Sequence, residues 1–322
     1  MRPDDWHLTE DADGLLARTG TFLRSRPVRH IVTLGVFEGL RARKAVPDGT
    51  RAPVSGAQAP VSGAQAPVSG AQAPGVRAAA PVFGWLERAG EVGATFYHLP
   101  SRGIGLTALT PAQADGLAAR LAGLGYTFPY VSADQDTAAA FAAAWRRHAG
   151  VTAALGVRLC LYRLGELAPP RPAPAGRGRP VGEGDRERLM GWCRGFAADV
   201  GEDVTIDATT WAGTRFAGKR YTFWELPDGT PVSMAGRKPR IAGVAQVDPV
   251  YTPARFRGRG FAGAVTAEVS RAALAAGAAE VVLFANAADP TSNALYQRLG
   301  FVRVTGWATY DFARGACGRS RP

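Results

Sequence analysis

The chain has 322 residues, 46% of them hydrophobic, enough for a sizeable core and, by length, for two domains. Its net charge is +11, yet lysine stands only at 44, 219 and 238, and the remaining basic residues are arginines scattered without interleaved aromatics, which argues against nucleic acid as a partner. The opening MRPDDWHLTEDADGLL has no apolar core behind a basic region, and no apolar run approaches the roughly 20 residues of a membrane span, so a soluble cytoplasmic protein is expected.

In chain order, LTEDADGLLARTGTFLRSRP predicts a helix with Thr9 as its cap and an end before Pro27. HIVTLGVFEGLRAR is apolar but fits a strand or a short helix equally. APVSGAQ then repeats three times from residue 52; a proline in every unit forbids a helix, and small polar residues bury too little to offset ordering. A disordered insertion is expected at about 46–78. PVFGWLERAGEVGATFYHLP and GIGLTALT read as strands, TPAQADGLAARLAGLG as a helix capped by Thr110, YTFPYVSA as a strand, DQDTAAAFAAAWRRHAG as a helix and VRLCLYRL as a strand. The proline-rich stretch 167–180 predicts a linker between a first domain, 1–166, and a second, 181–322. Beyond it come two helices, VGEGDRERLMGWCRGFAADVGE and IDATTWAGTRFAGK, and a hairpin turning at Asp228-Gly229. A long strand follows, in which Asp248-Pro249 forces a bulge, and then GFAGAVTAEVSRAALAAG, AEVVLFAN, DPTSNALYQRLG and FVRVTGWATYDF read as helix, strand, helix and strand.

RFRGRGFAG, at 255–263, fits two phosphate-binding patterns. From Gly258 it reads G-x-G-x-x-G, but a dinucleotide turn opens a doubly wound unit, and too little chain follows to build the second half of that cleft. From Arg257 it reads R-x-x-G-x-A, with Gly260 and Ala262 in the first helical turn, where a larger side chain would block a diphosphate. The setting of strand, bulge, loop and helix favours the second pattern.

VYTPARFRGRGFAGAVTAEV followed by VVLFANAADPTSNALYQRLGF resembles the GCN5-related N-acetyltransferases, closely over residues 220–312. The resemblance implies an α/β mixed-sheet fold in tandem, with the C-terminal domain intact and the N-terminal one degenerate, since it lacks the glycine loop. It also implies acetyl-CoA as co-substrate, no metal, and an amine acceptor that is a small molecule or a peptide. Val250, Tyr251 and Thr252 would receive the pantetheine arm, and Arg257, Gly258, Arg259, Gly260, Phe261 and Ala262 would cradle the diphosphate. Tyr296 would protonate the departing thiolate. The family usually has asparagine where this chain has Asp289, so Ser292 or Asn293 would take over its contact, or Asp289 would only cap the helix. For the general base, Asp248 and Glu225 are the carboxylates near the expected cleft, with His98 a third candidate. Cys160, Cys193 and Cys317 are odd in number and far apart, which argues against disulfide or zinc chemistry. A non-catalytic acyl-CoA-binding regulatory module is the alternative to an enzyme.

Overall fold

The computed structural model describes residues 6–44, 80–100 and 102–314. The insertion expected at about 46–78 lies outside the described residues, as does Cys317. The architecture is mixed α/β and separates into two compact units, one holding the described residues within 1–26, 67–158 and 306–322, the other those within 27–66 and 159–305. This division does not follow the proline-rich stretch, which belongs wholly to the second unit.

In the first unit, β1 (Trp6–Thr9), β2 (Val82–Arg88), β3 (Glu91–His98), β4 (Ile104–Leu106) and β5 (Tyr130–Asp134) lie side by side, with only β4 and β5 parallel. The end of the last strand, β12 (Phe301–Arg314), pairs antiparallel with β5 through Trp307–Asp311. The helix after β1, α1 (Ala12–Ser25), is capped by Asp11, whose carboxylate accepts from the amides of Asp13 and Gly14. Thr9 instead ends β1 and accepts from the Asp11 amide, because aspartate two residues later stands closer to the free donors. Helices α3 (Pro111–Gly123) and α4 (Gln135–Ala149) bury Leu117, Leu121, Phe141 and Trp145 at helical spacing against Trp6 and Phe96.

The second unit takes the helix α2 (Ile31–Lys44), which resolves the open reading of HIVTLGVFEGLRAR. Its sheet runs β6 (Val151–Leu164), β11 (Glu280–Asn286), β10 (Val244–Tyr251), β9 (Pro231–Arg237), β8 (Arg220–Glu225) and β7 (Arg177–Pro180), with β10 and β11 parallel and the other pairs antiparallel. Strand alternation sorts the side chains onto two faces. Ala245, Val247, Val281 and Leu283 join the core of α6 (Phe261–Ala275) and α7 (Pro290–Arg298), while Phe223 and Met234 join that of α5 (Arg186–Asp199). Gln246 and Asp248 therefore stand on the α5 face.

Two expectations are corrected here. IDATTWAGTRFAGK forms only a 3-10 turn, Trp211–Gly213: Asp207 caps the turn leading into it, accepting from the amides of Thr209 and Thr210 at 2.8 Å each, but the Thr214 hydroxyl donates to the Trp211 carbonyl at 2.8 Å and Thr214 turns extended at ψ 158°, which ends the helix after one turn. The stretch 167–180 is no free linker: its end forms β7, Ala168 donates to the Leu299 carbonyl, and the Trp224 indole donates to the Ala175 carbonyl. No described helix is long and apolar enough to cross a membrane.

Candidate active site

The expected bulge is present. Val247 faces Arg237 and Val250 faces Ala235, so β10 carries one residue more than β9 across Asp248-Pro249. The parallel ladder to β11 ends at Val247 and Leu283, although β10 continues to Tyr251 and β11 to Asn286. Past the bulge the two strands part, leaving a wedge with Val250 and Tyr251 on one side. Ser233 holds the end of this strand, donating to the Tyr251 carbonyl and sharing a hydrogen bond with the Thr252 hydroxyl at 2.8 Å.

The loop after the wedge leads into α6 through Gly258 and Gly260, both left-handed at φ +76° and +79°. Gly260 is the cap residue and has no side chain to offer, and the first helical turn contains no acid. Among the described residues none accepts a hydrogen bond from the amides of Arg259 through Gly263. A helix start with free donors and no acid is suited to an anion. Pro174 comes within 3.8 Å of the place a Gly260 Cβ would take, and Pro170 within 3.2 Å of that of Gly263. The glycine at 263 thus serves close packing against the 167–180 stretch and Leu295, not a second phosphate pattern.

The turn into α3, between the parallel strands β4 and β5 of the first unit, is closed from within. Before α3, the Thr107 amide donates to Thr95, the Leu109 amide to the Thr137 hydroxyl and the Thr110 amide to the Gln113 side chain, while the Thr110 hydroxyl accepts from the Gln113 amide. Pro111 removes a further donor. That helix start has been capped by its own sequence.

Several expected ligand side chains are already engaged. Arg257 donates to the Thr252 carbonyl at 2.9 Å and pairs with Asp199, which braces the loop. Arg240 binds the Ala276 and Gly277 carbonyls at the far end of α6, while Arg255, Arg257 and Arg259 are exposed along the loop itself. Asp289 caps α7 through the amides of Thr291 and Ser292 and accepts from the Ser292 hydroxyl. Asn293 donates to the Asn286 and Asp289 carbonyls and accepts from the Tyr162 hydroxyl at 2.8 Å, which uses both of its amide donors. Asp289→Ala is accordingly expected to lower stability by about 1 kcal/mol, read as a thermal shift, with coenzyme A affinity unchanged by calorimetry.

Of the expected catalytic residues, Tyr296 is packed in the core that Val250 borders, between Tyr162 and Phe301, and burial pushes its phenol well above the ordinary range. Glu225 is held by Arg179, which also grips Asp185 at 2.7 Å, so it fastens β8 to β7. His98 lies in the first unit, its edge on Phe128, and burial lowers its pKa. Asp248 sits in a cage of cations: Arg215 at 3.2 Å, Lys219 at 2.5 Å and Lys238 at 4.0 Å. Burial alone would raise its pKa, but the three cations overcome that and hold it far below the carboxylate range. A carboxylate gripped by Arg215 and Lys219 and so weakly basic is poorly suited to accept an ammonium proton near neutrality, which argues against Asp248 as base.

No motif or spacing marked Arg215 and Glu202, which pair at 2.8 Å, or the lysines around Asp248. The one signal was composition, since two of the chain's three lysines converge on a single carboxylate.

Residues 233–310, which span the bulged strand, the loop, α6, α7 and most of β12, match the FR47-like protein family. Among solved structures, a Drosophila protein from structural genomics is 11% identical with a TM-score of 0.60, covering 97% of this chain and 99% of its own. A GCN5-related N-acetyltransferase from Sphaerobacter thermophilus is 16% identical with a TM-score of 0.52, covering 96% of each chain. A tandem GNAT protein of the clavulanic acid biosynthesis pathway is 13% identical at a TM-score of 0.47, covering 96% of this chain and 98% of its own. No curated protein matches the chain.

Proposed function

We propose that this chain, which has the GCN5-related N-acetyltransferase fold and an FR47-like segment in its second unit, is an acetyl-CoA-dependent N-acetyltransferase acting on an amine. The observation that carries this reading is the pairing of the wedge beyond Val247 with the uncapped start of α6. The wedge offers backbone donors to a thioester arm, and the helix start offers them to a diphosphate. The coenzyme supplies an activated acetyl group. The protein orients it, and the amine attacks the thioester carbonyl directly, with no covalent enzyme intermediate.

Tyr296 stays protonated at every working pH because burial raises its phenol, so its role is to donate a hydrogen bond to the leaving sulfur. Tyr296→Phe is expected to lower kcat by about 100-fold, at the low end for loss of an acid group, with coenzyme A affinity retained. An unchanged kcat would make Tyr296 a packing residue only. Thiol release from acetyl-CoA in the presence of amino acids, polyamines and peptide N-termini tests the whole reading. Coenzyme binding without turnover on any of them would favour the regulatory module.

A further inference from the structure

The group of charges at the bulge has an odd member. Arg215 and Lys219 balance Glu202 and Asp248: the guanidinium grips both carboxylates, and the Lys219 ammonium lies against Asp248 Oδ2. Lys238, just past β9, is a third cation with no carboxylate of its own. It stands 4.0 Å from the oxygen that Lys219 already holds, and its Nζ lies 3.2 Å from the neutral Gln246 side chain. It is also the most exposed of the three cations, at 22% of its side chain against 3% for Lys219 and 11% for Arg215.

Composition adds an independent point. Arginine outnumbers lysine throughout this chain, yet both lysines past residue 44 stand in this cluster. Arginine keeps its proton under all ordinary conditions, whereas a crowded lysine can shed one.

We propose that Lys238, as the neutral amine, is the general base that takes the proton from the acceptor ammonium, a role resting on the acetyltransferase reading above. The acceptor's ammonium proton passes to Nζ of Lys238. The freed nitrogen lone pair forms the C–N bond, the C–S bond breaks, and the second nitrogen proton leaves with the thiolate as coenzyme thiol. Lys238 then returns its proton to solvent.

The neighbours agree with this assignment. Burial, reinforced by Lys219 and Arg215 against the pull of Asp248, brings Lys238 down to about 8. Burial pushes Cys193 up to about 12 and Tyr221 higher still, while Asp248 is held far too acidic. Glu202, raised by burial, is occupied by Arg215. Lys219 is also lowered by burial but lies at 2.5 Å from Asp248, which holds its proton. Lys238 is the group in the cluster able to exchange a proton near neutrality.

Two measurements on the full chain test this. In the first, trace labelling with acetic anhydride between pH 6 and 11 is followed by mass spectrometry of the peptide containing Lys238. A labelling midpoint near pH 8 is expected, and a midpoint near 10.4, the ordinary lysine value, would overturn the proposal without touching the acetyltransferase reading. In the second, Lys238→Arg and Lys238→Met are assayed for thiol release across the same pH range with the amine panel. Both should bind coenzyme A as the parent does and lose about 100-fold or more in kcat/KM at pH 7, with the parent's rise toward pH 8 abolished. A parent-like pH profile in either variant overturns the base role. Coenzyme binding with no turnover by the parent on any amine overturns the acetyltransferase reading and the base role with it. Lys238→Met removes the unbalanced charge and should melt no lower than the parent, which separates a lost proton acceptor from a lost fold.

Discussion

Replacing Gly260 with glutamate is expected to abolish coenzyme A binding. Three effects act together. The residue is left-handed at φ +79°, a conformation that costs a side-chain-bearing residue roughly 1–2 kcal/mol. The new carboxylate would stand at the start of α6 and accept from the same free amides that a diphosphate needs. It would also set a negative charge against an incoming anion where the helix otherwise offers only donors. Gly260→Ala separates these terms, since Pro174 leaves ordinary contact room for a methyl group at 3.8 Å. Alanine should weaken binding only modestly, by the backbone strain, while glutamate removes it. Calorimetry reads the affinities and a thermal melt confirms that both variants fold. A glutamate variant that binds coenzyme A as the parent does would show that the diphosphate lies elsewhere.

Asp248→Ala should destabilise the protein by about 3–5 kcal/mol, the usual cost of breaking a buried ion pair by removing one partner. Lys219, Lys238 and Arg215 would be left with the Glu202 carboxylate alone among the charges of this cluster. The pH dependence has a definite sign. The folded pKa of Asp248 is depressed, so its contribution is complete above the unfolded value near 3.9 and is lost as pH falls below it toward the folded value. Parent and variant should therefore differ most near neutrality and converge on acidification. Denaturant melts at pH 7 and pH 3 measure both quantities, and an equal gap at the two pH values would refute the linkage. The Lys238→Met control should narrow the loss in a double variant, because one uncompensated cation is gone.

The bulged strand, the glycine loop and the start of α7 were legible because their determinants are local. Proline after aspartate interrupts a ladder, glycines admit a left-handed turn, and a capping residue precedes α7, all within short windows of sequence. Thr110 before α3 was legible for the same reason. The charge cluster was not, since Glu202, Arg215, Lys219, Lys238 and Asp248 come from separate segments that only the second unit's fold brings together. Glu225 and Asp248 looked like bases because spacing places a carboxylate but does not reveal its counter-ions. The helix at IDATTWAGTRFAGK stops after one turn where the Thr214 hydroxyl takes the Trp211 carbonyl, a local competition that apolar periodicity does not register.

Neither compact unit is a continuous piece of chain. The second takes α2 from near the N-terminus, and the first is completed by the end of β12, where Trp307 donates to Ser132 at 2.9 Å. During synthesis the first unit must therefore wait for residues 307–311 of β12 before its sheet can close, with β5 exposed as an edge until then. Expressing either side of the proline-rich stretch alone should yield aggregation-prone fragments, while the two fragments produced together should recover a soluble complex.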